Sequence, residues 1–577
     1  LHVVIPRERD LKGAEILVKM LINYGVKRVF GVPGGQTLPI YEAIYDHRDQ
    51  ISHLLFREEA NAVFAADAYA RITNKVGIAD ATLGPGVFRA VPAVAESYGA
   101  STPLILLMGN NPITWLPITT YRANASQAFD QMEVLRPITK WVGQITSAKN
   151  IPPVIRFAFR AATSGRPGPV AVDVPSNVLT DDVEAKTSDL YAQGEFSKVP
   201  ALRVAPDPEK IARVTNLIRA SERPLIIAGG GVHISNASHE LYKLAVTFGI
   251  PVATTLNGKG AFPEVHPLSL GVLSSLGGWV TAERAAKIAD LLIFIGSNVD
   301  QFTTINWRLP LEGQKVVHID IDPVELGRSF VCEVAIEGDA KASLEALYAK
   351  LVDVDYKPKA DWVEEVLKLK KEVLDPLEYV RDAEGNKRLS VKRVMKIIDE
   401  FFASRRNVIV ASDASSSSGW VAGCITAREP GRKILIPRGA AGLGYAIPAC
   451  IGAAMGARDS GIEPRCVAIA GDGGAAYSIV EVETARRYDV PLIAIILNDC
   501  ALGWIKKDQE KMSGKVYSSE FTEVDFAAIA KGLNARGFTI WSYEDLRWAL
   551  NDCFNENMPC VIDVKVETAS PYAFLYS

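Results

Sequence analysis

The sequence predicts an α/β protein built of parallel sheets covered by helices on both faces, and two observations carry the prediction. Short runs that are apolar at almost every position recur along the chain, and the segments between them show helical periodicity. A strand without polar positions must be buried on both faces, which a helix-covered parallel sheet provides. Length adds a third constraint. With 577 residues, 48% of them hydrophobic, and about 100–200 residues per domain, several domains are expected.

Taken in order, residues 13–24 set Ala14, Leu17, Val18, Leu21 and Ile22 on one helical face, and Gly25 supplies the stop. Strands are expected at residues 28–32, 104–108 and 170–174. The alternation then lapses at residues 188–208, a stretch with one Gly and three Pro that reads as a linker. A second set of strands follows at 225–228, 291–295 and 316–321. Residues 353–388 are charge-dense and partly helical and read as a second linker, with Trp362, Val366, Leu367 and Val373 as apolar anchors. The last set lies at 408–411, 466–470 and 492–497. The cuts define doubly wound domains at 1–187, 209–352 and 389–577, each long enough for a core of its own.

Charge and cysteine usage exclude several classes. Sixty-seven acidic residues against 63 basic ones give a net charge of −4, without the basic excess of a nucleic-acid surface. Seven cysteines without a CxxC pair argue against a zinc ribbon or a disulfide framework and point to a reducing, cytoplasmic setting. No apolar run approaches a membrane span, and residues 1–10 do not resemble a signal peptide.

The most informative segment is Gly471-Asp472-Gly473-Gly474, at the end of one apolar strand, followed by Asn498-Asp499 at the end of the next. Both therefore emerge at carboxyl ends of strands, where open α/β sheets place ligands. Asp472 and Asn498, with the backbone carbonyl of Cys500, form a plausible ligand set for Mg²⁺ holding phosphate oxygens, and the glycines let the backbone approach a diphosphate. Ser415 and Ser416, after Asp413, offer hydroxyl donors to the same group.

These motifs resemble those of the thiamin-diphosphate enzymes of the acetolactate synthase and pyruvate oxidase family. The resemblance extends to Gly31-Val32-Pro33-Gly34, Arg57-Glu58-Glu59-Ala60, Leu83-Gly84-Pro85-Gly86, Thr254-Thr255-Leu256-Asn257-Gly258 and His318-Ile319-Asp320-Ile321-Asp322. It implies a pyrimidine-binding domain, a central nucleotide-binding-like domain and a diphosphate-binding domain. Glu59 then matches the acid that exchanges a proton with N1′ of the aminopyrimidine, a role suited to a carboxyl whose pKa is raised by apolar surroundings; its neighbour Glu58 is the alternative. Leu443 matches the apolar wedge beneath the bent cofactor, Ala441 the carbonyl that accepts from its 4′-amino group, and Gln127 a glutamine reaching the reaction zone. Pro33, Asp413, Ser415, Ser416, Gly471, Gly473, Gly474, Ala475, Leu502 and Gly503 fall at cofactor-contacting positions.

The resemblance further implies a homodimer or homotetramer in which one subunit's N-terminal domain and another's C-terminal domain serve the same cofactor. The expected reaction is 2-keto acid decarboxylation with carboligation. The alternatives are a 2-hydroxyacyl-CoA lyase or oxalyl-CoA decarboxylase, acting on an acyl-CoA, and a pyruvate oxidase-like flavoenzyme. All seven histidines lie outside the segments expected at the active centre. In the central domain, Ala228-Gly229-Gly230-Gly231 lacks GxGxxG spacing and residues 296–301 lack the acetolactate synthase flavin segment. FAD, ADP or no ligand all stay open there.

Overall fold

A computed structural model describes residues 10–115, 125–184, 187–372 and 388–571. The chain forms two compact units: Leu1–Leu202 with Met455–Ile462, and Arg203–Ala454 with Glu463–Ser577.

In the first unit β1 (Asp10–Lys12) pairs antiparallel with β8 (Asp182–Glu184). The remaining strands, β2 (Arg28–Val32), β3 (Ser52–Leu55), β4 (Gly77–Ala81), β5 (Leu104–Asn110), β6 (Trp141–Gln144) and β7 (Pro169–Pro175), form one parallel sheet in the order β3-β2-β4-β5-β7-β6. Every residue of β5 and β7 is buried, as their apolar runs require. Helix Glu59–Thr73, rich in alanine, crosses this sheet so closely that a Cβ on Gly77 would lie 2.3 Å from the Ala66 carbonyl oxygen. The end of helix Ala446–Asp459 also belongs to this unit: Asp459 accepts from Arg28 at 2.8 Å and from the Tyr69 hydroxyl at 3.0 Å.

The second unit contains two further parallel sheets. The first consists of β9 (Pro224–Ala228), β10 (Val252–Thr254), β11 (Ser269–Val272), β12 (Leu291–Ile295), β13 (Lys315–Asp320) and β14 (Val334–Glu337), ordered β11-β10-β9-β12-β13-β14. The second consists of β15 (Val408–Ser412), β16 (Ile434–Leu435), β17 (Arg465–Gly471), β18 (Leu492–Asn498), β19 (Arg536–Ile540) and β20 (Cys560–Lys565), ordered β16-β15-β17-β18-β20-β19. A buried Lys259–Glu264 pair at 2.6 Å joins them: Lys259 donates to the Ala422 carbonyl, and the Ala427 N–H donates to Glu264.

The N-terminal and C-terminal sheets share one winding order, and the central sheet has the order of dinucleotide-binding folds. In each, the winding reverses beside the first strand, so that crevices are expected between β2 and β4, β9 and β12, and β15 and β17.

Three sequence-based expectations need correction. Residues 360–372 are no linker: helix Ala360–Glu372 buries Trp362 and Val366 against the central sheet, and the Trp362 indole donates to the Pro224 carbonyl at 2.9 Å. The helical part of this stretch and its anchors were expected; what the linker reading missed is that the helix belongs to the central domain. The first linker likewise packs Leu190 and Phe196 into the N-terminal core. Cys553 and Cys560 form a disulfide, with Cα atoms 6.2 Å apart, because a short turn returns helix Tyr543–Asn555 to the start of β20. Val373 lies outside the described residues. Among the described residues no helix is long and apolar enough to cross a membrane.

Candidate active site

The crevice between β15 and β17 opens into a cavity of about 460 Å³. Residues 414–417 line one side, 471–474 another, and Ala441, Leu443, Asp499, Leu502 and Gly503 complete it. Ser415 enters its helix in the left-handed region, φ 63°, and the neighbouring Ser416 Oγ is buried without a hydrogen-bond partner. An orphaned hydroxyl in a cavity wall is costly unless a ligand satisfies it. Ala441, at φ 56°, and Gly444, at φ 90°, bend the chain so that half-buried Leu443 stands on the cavity wall.

Asp472 is 7% exposed and meets Asp499, with which it shares a hydrogen bond. Burial, then the nearby Asp499 charge, pushes Asp472 up to about 7; burial likewise raises Asp499. Two carboxyls held together out of water favour a shared proton or a divalent cation over two bare charges. Among the described residues no cluster of three or more His, Cys, Asp or Glu side chains gathers as a metal cage. A cation here would draw its remaining ligands from backbone carbonyls and from the bound molecule.

The expected ligands Asn498 and Cys500 do not face this pair. Asn498 is fully buried and its amide donates to Asp563 and to the Val524 carbonyl, each at 3.0 Å, while the Cys500 carbonyl accepts from the Phe521 N–H at 2.7 Å. Asn498 is still in register on β18, paired with Lys565, so its side chain stays on the sheet face with Asp563. Asp499, the first residue off the strand, turns into the cavity. Asp413 also departs from expectation: it is 1% exposed and accepts from the N–H groups of Ala414, Gly444 and Ala446, so it anchors the turn carrying Leu443 instead of lining the cavity. Ala475 is fully buried in the next helix.

In the first unit the β2–β4 crevice carries Glu59. Glu58 caps helix Glu59–Thr73 by accepting from the Asn61 N–H at 2.9 Å, which leaves Glu59 as the 8% exposed carboxyl of the first turn. Burial raises its pKa, and the negative charge of Asp80 adds to this. A Cβ on Gly86 would lie 3.2 Å from Glu59 Oε1, so the glycine gives the carboxyl its space. Exposed Pro33 opens the neighbouring turn. Exposed Gln127, left-handed at φ 60°, lies beside Gly84, whose Cβ would be 3.1 Å from the Gln127 carbonyl oxygen.

Three family models match the chain in order: the thiamine pyrophosphate enzyme N-terminal TPP binding domain at residues 11–134, the central domain at 211–347 and the C-terminal TPP binding domain at 413–564. A probable acetolactate synthase large subunit of Methanocaldococcus jannaschii is 34% identical over 97% of this chain and 92% of its own length. The chain belongs to the thiamine pyrophosphate enzymes. Acetolactate synthase isozyme 1 large subunit of Escherichia coli (31% identical, 96% and 94% covered) and the chloroplastic acetolactate synthase 1 of Oryza sativa (32%, 96% and 84%) are similar over comparable spans.

Within this thiamine pyrophosphate enzyme the third crevice behaves differently. Gly229 donates its N–H to Ile295 and Gly231 to Gly296, both at 2.9 Å, and a Cβ on Gly229 would lie 2.1 Å from the Gly296 carbonyl oxygen. The glycines of the β9 and β12 turns thus serve a backbone-to-backbone contact. The N–H groups of Gly229 and Gly231 are used in this contact.

Asp499 was the functional residue missed by motif reading. The signal was present in Asn498-Asp499, but which of two adjacent polar residues leaves the strand depends on where pairing with β20 ends. Thr82, packed between Gly34 and the Glu59 carboxyl, carries no recognisable pattern.

Proposed function

We propose that this protein catalyses thiamin-diphosphate- and Mg²⁺-dependent decarboxylation of a 2-keto acid and transfer of the resulting acyl fragment to a second carbonyl compound, as an acetolactate synthase-type carboligase. The observation that carries this reading is the buried Asp472–Asp499 pair beside the orphaned Ser416 hydroxyl in one diphosphate-sized cavity. Asp472, Asp499 and Glu567 face that cavity against a single cation, Arg438. A diphosphate would be repelled from such a lining, so a divalent cation has to bind with it, held by Asp472 and Asp499.

When bound, thiamin diphosphate supplies a carbon nucleophile and an electron sink beside the substrate carbonyl. Burial raises the pKa of the Glu59 carboxyl, which suits it to exchange a proton with the pyrimidine ring once the cofactor is bound. Leu443 wedges the cofactor, Ser416 donates to the diphosphate, and the Gln127 side chain reaches the substrate.

The test is a panel of 2-keto acids and acyl-CoA thioesters incubated with protein, thiamin diphosphate and Mg²⁺, with products identified by mass spectrometry. A carboligation product from 2-keto acids alone is expected; turnover confined to thioesters overturns the reading. Flavin absorbance in the purified protein would show that the central domain takes FAD.

A further inference from the structure

Asp80 is a carboxylate in the middle of a strand, 1% exposed, whose charge helps to raise the Glu59 pKa but whose own hydrogen bonds lead elsewhere. It accepts from His53 Nε2 at 2.8 Å and from the Tyr41 hydroxyl. Strand order puts β2 between His53 on β3 and Asp80 on β4. The carboxylate crosses the middle strand only because residue 31 is glycine: a Cβ there would lie 2.0 Å from Asp80 Oδ1. The sequence therefore sets aside a backbone position to let these groups meet.

From Tyr41 the contacts continue. Its hydroxyl lies 3.0 Å from Thr37 Oγ1, and Thr37 Oγ1 accepts from the Gly34 N–H at 3.2 Å. A carboxylate only accepts, so the single hydrogen of Tyr41 goes to Asp80. Burial and the Asp80 charge keep the Tyr41 hydroxyl protonated. Thr37 Oγ1 therefore stands between the Tyr41 oxygen and the Gly34 backbone, where it accepts from the Gly34 N–H and has both the Tyr41 oxygen and the Gly34 carbonyl, the latter at 3.1 Å, as acceptors for its own hydrogen. Gly34 begins the turn after Pro33, and a Cβ on it would lie 2.2 Å from Thr82, the side chain that also packs near Glu59 Oε1.

We propose that Asp80 is a positioning residue that acts through Tyr41 and Thr37 to hold the Pro33–Gly34 turn beside Glu59 in its cofactor-receiving form. The proposal rests on the reading of this crevice as the pyrimidine site.

The experiment measures affinity for thiamin diphosphate with Mg²⁺ by calorimetry on the full-length protein, together with urea unfolding midpoints. Tyr41→Phe cuts the relay while keeping the ring, and is expected to weaken affinity by about tenfold, the value of one charge-assisted hydrogen bond. Asp80→Asn should weaken it similarly, and the double variant should be no weaker than the worse single one, because both remove the same relay. Thr37→Val should share the loss, whereas Thr37→Ser, which keeps the hydroxyl, should restore it. Losses that multiply in the double variant, or wild-type affinity in Tyr41→Phe, overturn the proposal. Wild-type protein that binds no thiamin diphosphate overturns the reading of the site instead, and the inference with it.

Discussion

At Glu59 burial, aided by the nearby Asp80 charge, pushes the carboxyl pKa up against the pull of its own backbone N–H and of Arg89, while its neighbour Glu58 is spent on capping the helix. Glu59→Gln should leave the unfolding midpoint unchanged while turnover falls by at least about 10²-fold, the size of a general acid–base contribution. The carboxylate pair gives a sharper contrast. Asp499→Ala should abolish Mg²⁺-dependent cofactor binding measured by calorimetry, whereas Asn498→Ala should lower stability by roughly 1–3 kcal/mol, by leaving Asp563 short of a donor, without removing a metal ligand. Glu59 and Asp472 were legible in the sequence because each sits in a fixed motif; Asp499 was not, because strand register is a tertiary property. His233 shows how burial alone writes a pH dependence. Desolvation, then Arg432, pushes its pKa down to about 3, and it is held against the Lys259 carbonyl at 3.0 Å. The unfolded chain takes up this proton first as pH falls below about 6.5, so stability present above that pH is lost progressively toward pH 3. Urea titrations should show about 2 kcal/mol less stability at pH 5 than at pH 7 from this group, and His233→Gln should remove that part of the difference.

Strands buried on both faces announced themselves, and strands at sheet edges did not. β5, β7, β12 and β18 are apolar at nearly every position and fully buried. β3, β6 and β19 lie next to or at the edges, mix polar with apolar residues, and escaped notice. β4 is fully buried but was hidden by Asp80, the one charge in its run. In β20 the polar residues are buried too: Lys565, 1% exposed, pairs with Asp563 at 3.0 Å and with Glu523 at 3.1 Å, and Asp563 also receives Asn498. Lys565→Met should cost about 3–5 kcal/mol in denaturant unfolding, because it strands a carboxylate that has no exposure to water. If the loss is under about 1 kcal/mol, the Asn498 amide and the Phe526 N–H, each at 3.0 Å, suffice to hold the Asp563 carboxyl.

Along the sequence, two sheets of one winding order come before and after a third of another; a cavity opens at the β15–β17 crevice, and in the central sheet the β9 and β12 turns meet backbone to backbone. Fold class was readable from sequence because winding leaves its trace in alternating runs; the state of each crevice was not, since it depends on how two turns meet. The expected homodimer or homotetramer is tested by complementation. Glu59→Gln and Asp472→Ala subunits, each inactive alone, should regain part of the activity after dissociation and joint reassembly, if different subunits serve one cofactor. Persistent inactivity in proven mixed dimers rejects that assembly.

The first compact unit also includes Met455–Ile462, and Asp459 in that segment is the partner of Arg28 and Tyr69. On a ribosome the chain emerges from its N-terminus at about 5–20 residues per second. Arg28 therefore waits through 431 further residues and Tyr69 through 390 before their partner exists. Until then the N-terminal sheet stands without these bonds, and the last stitches of the first-made sheet are supplied by a segment made late.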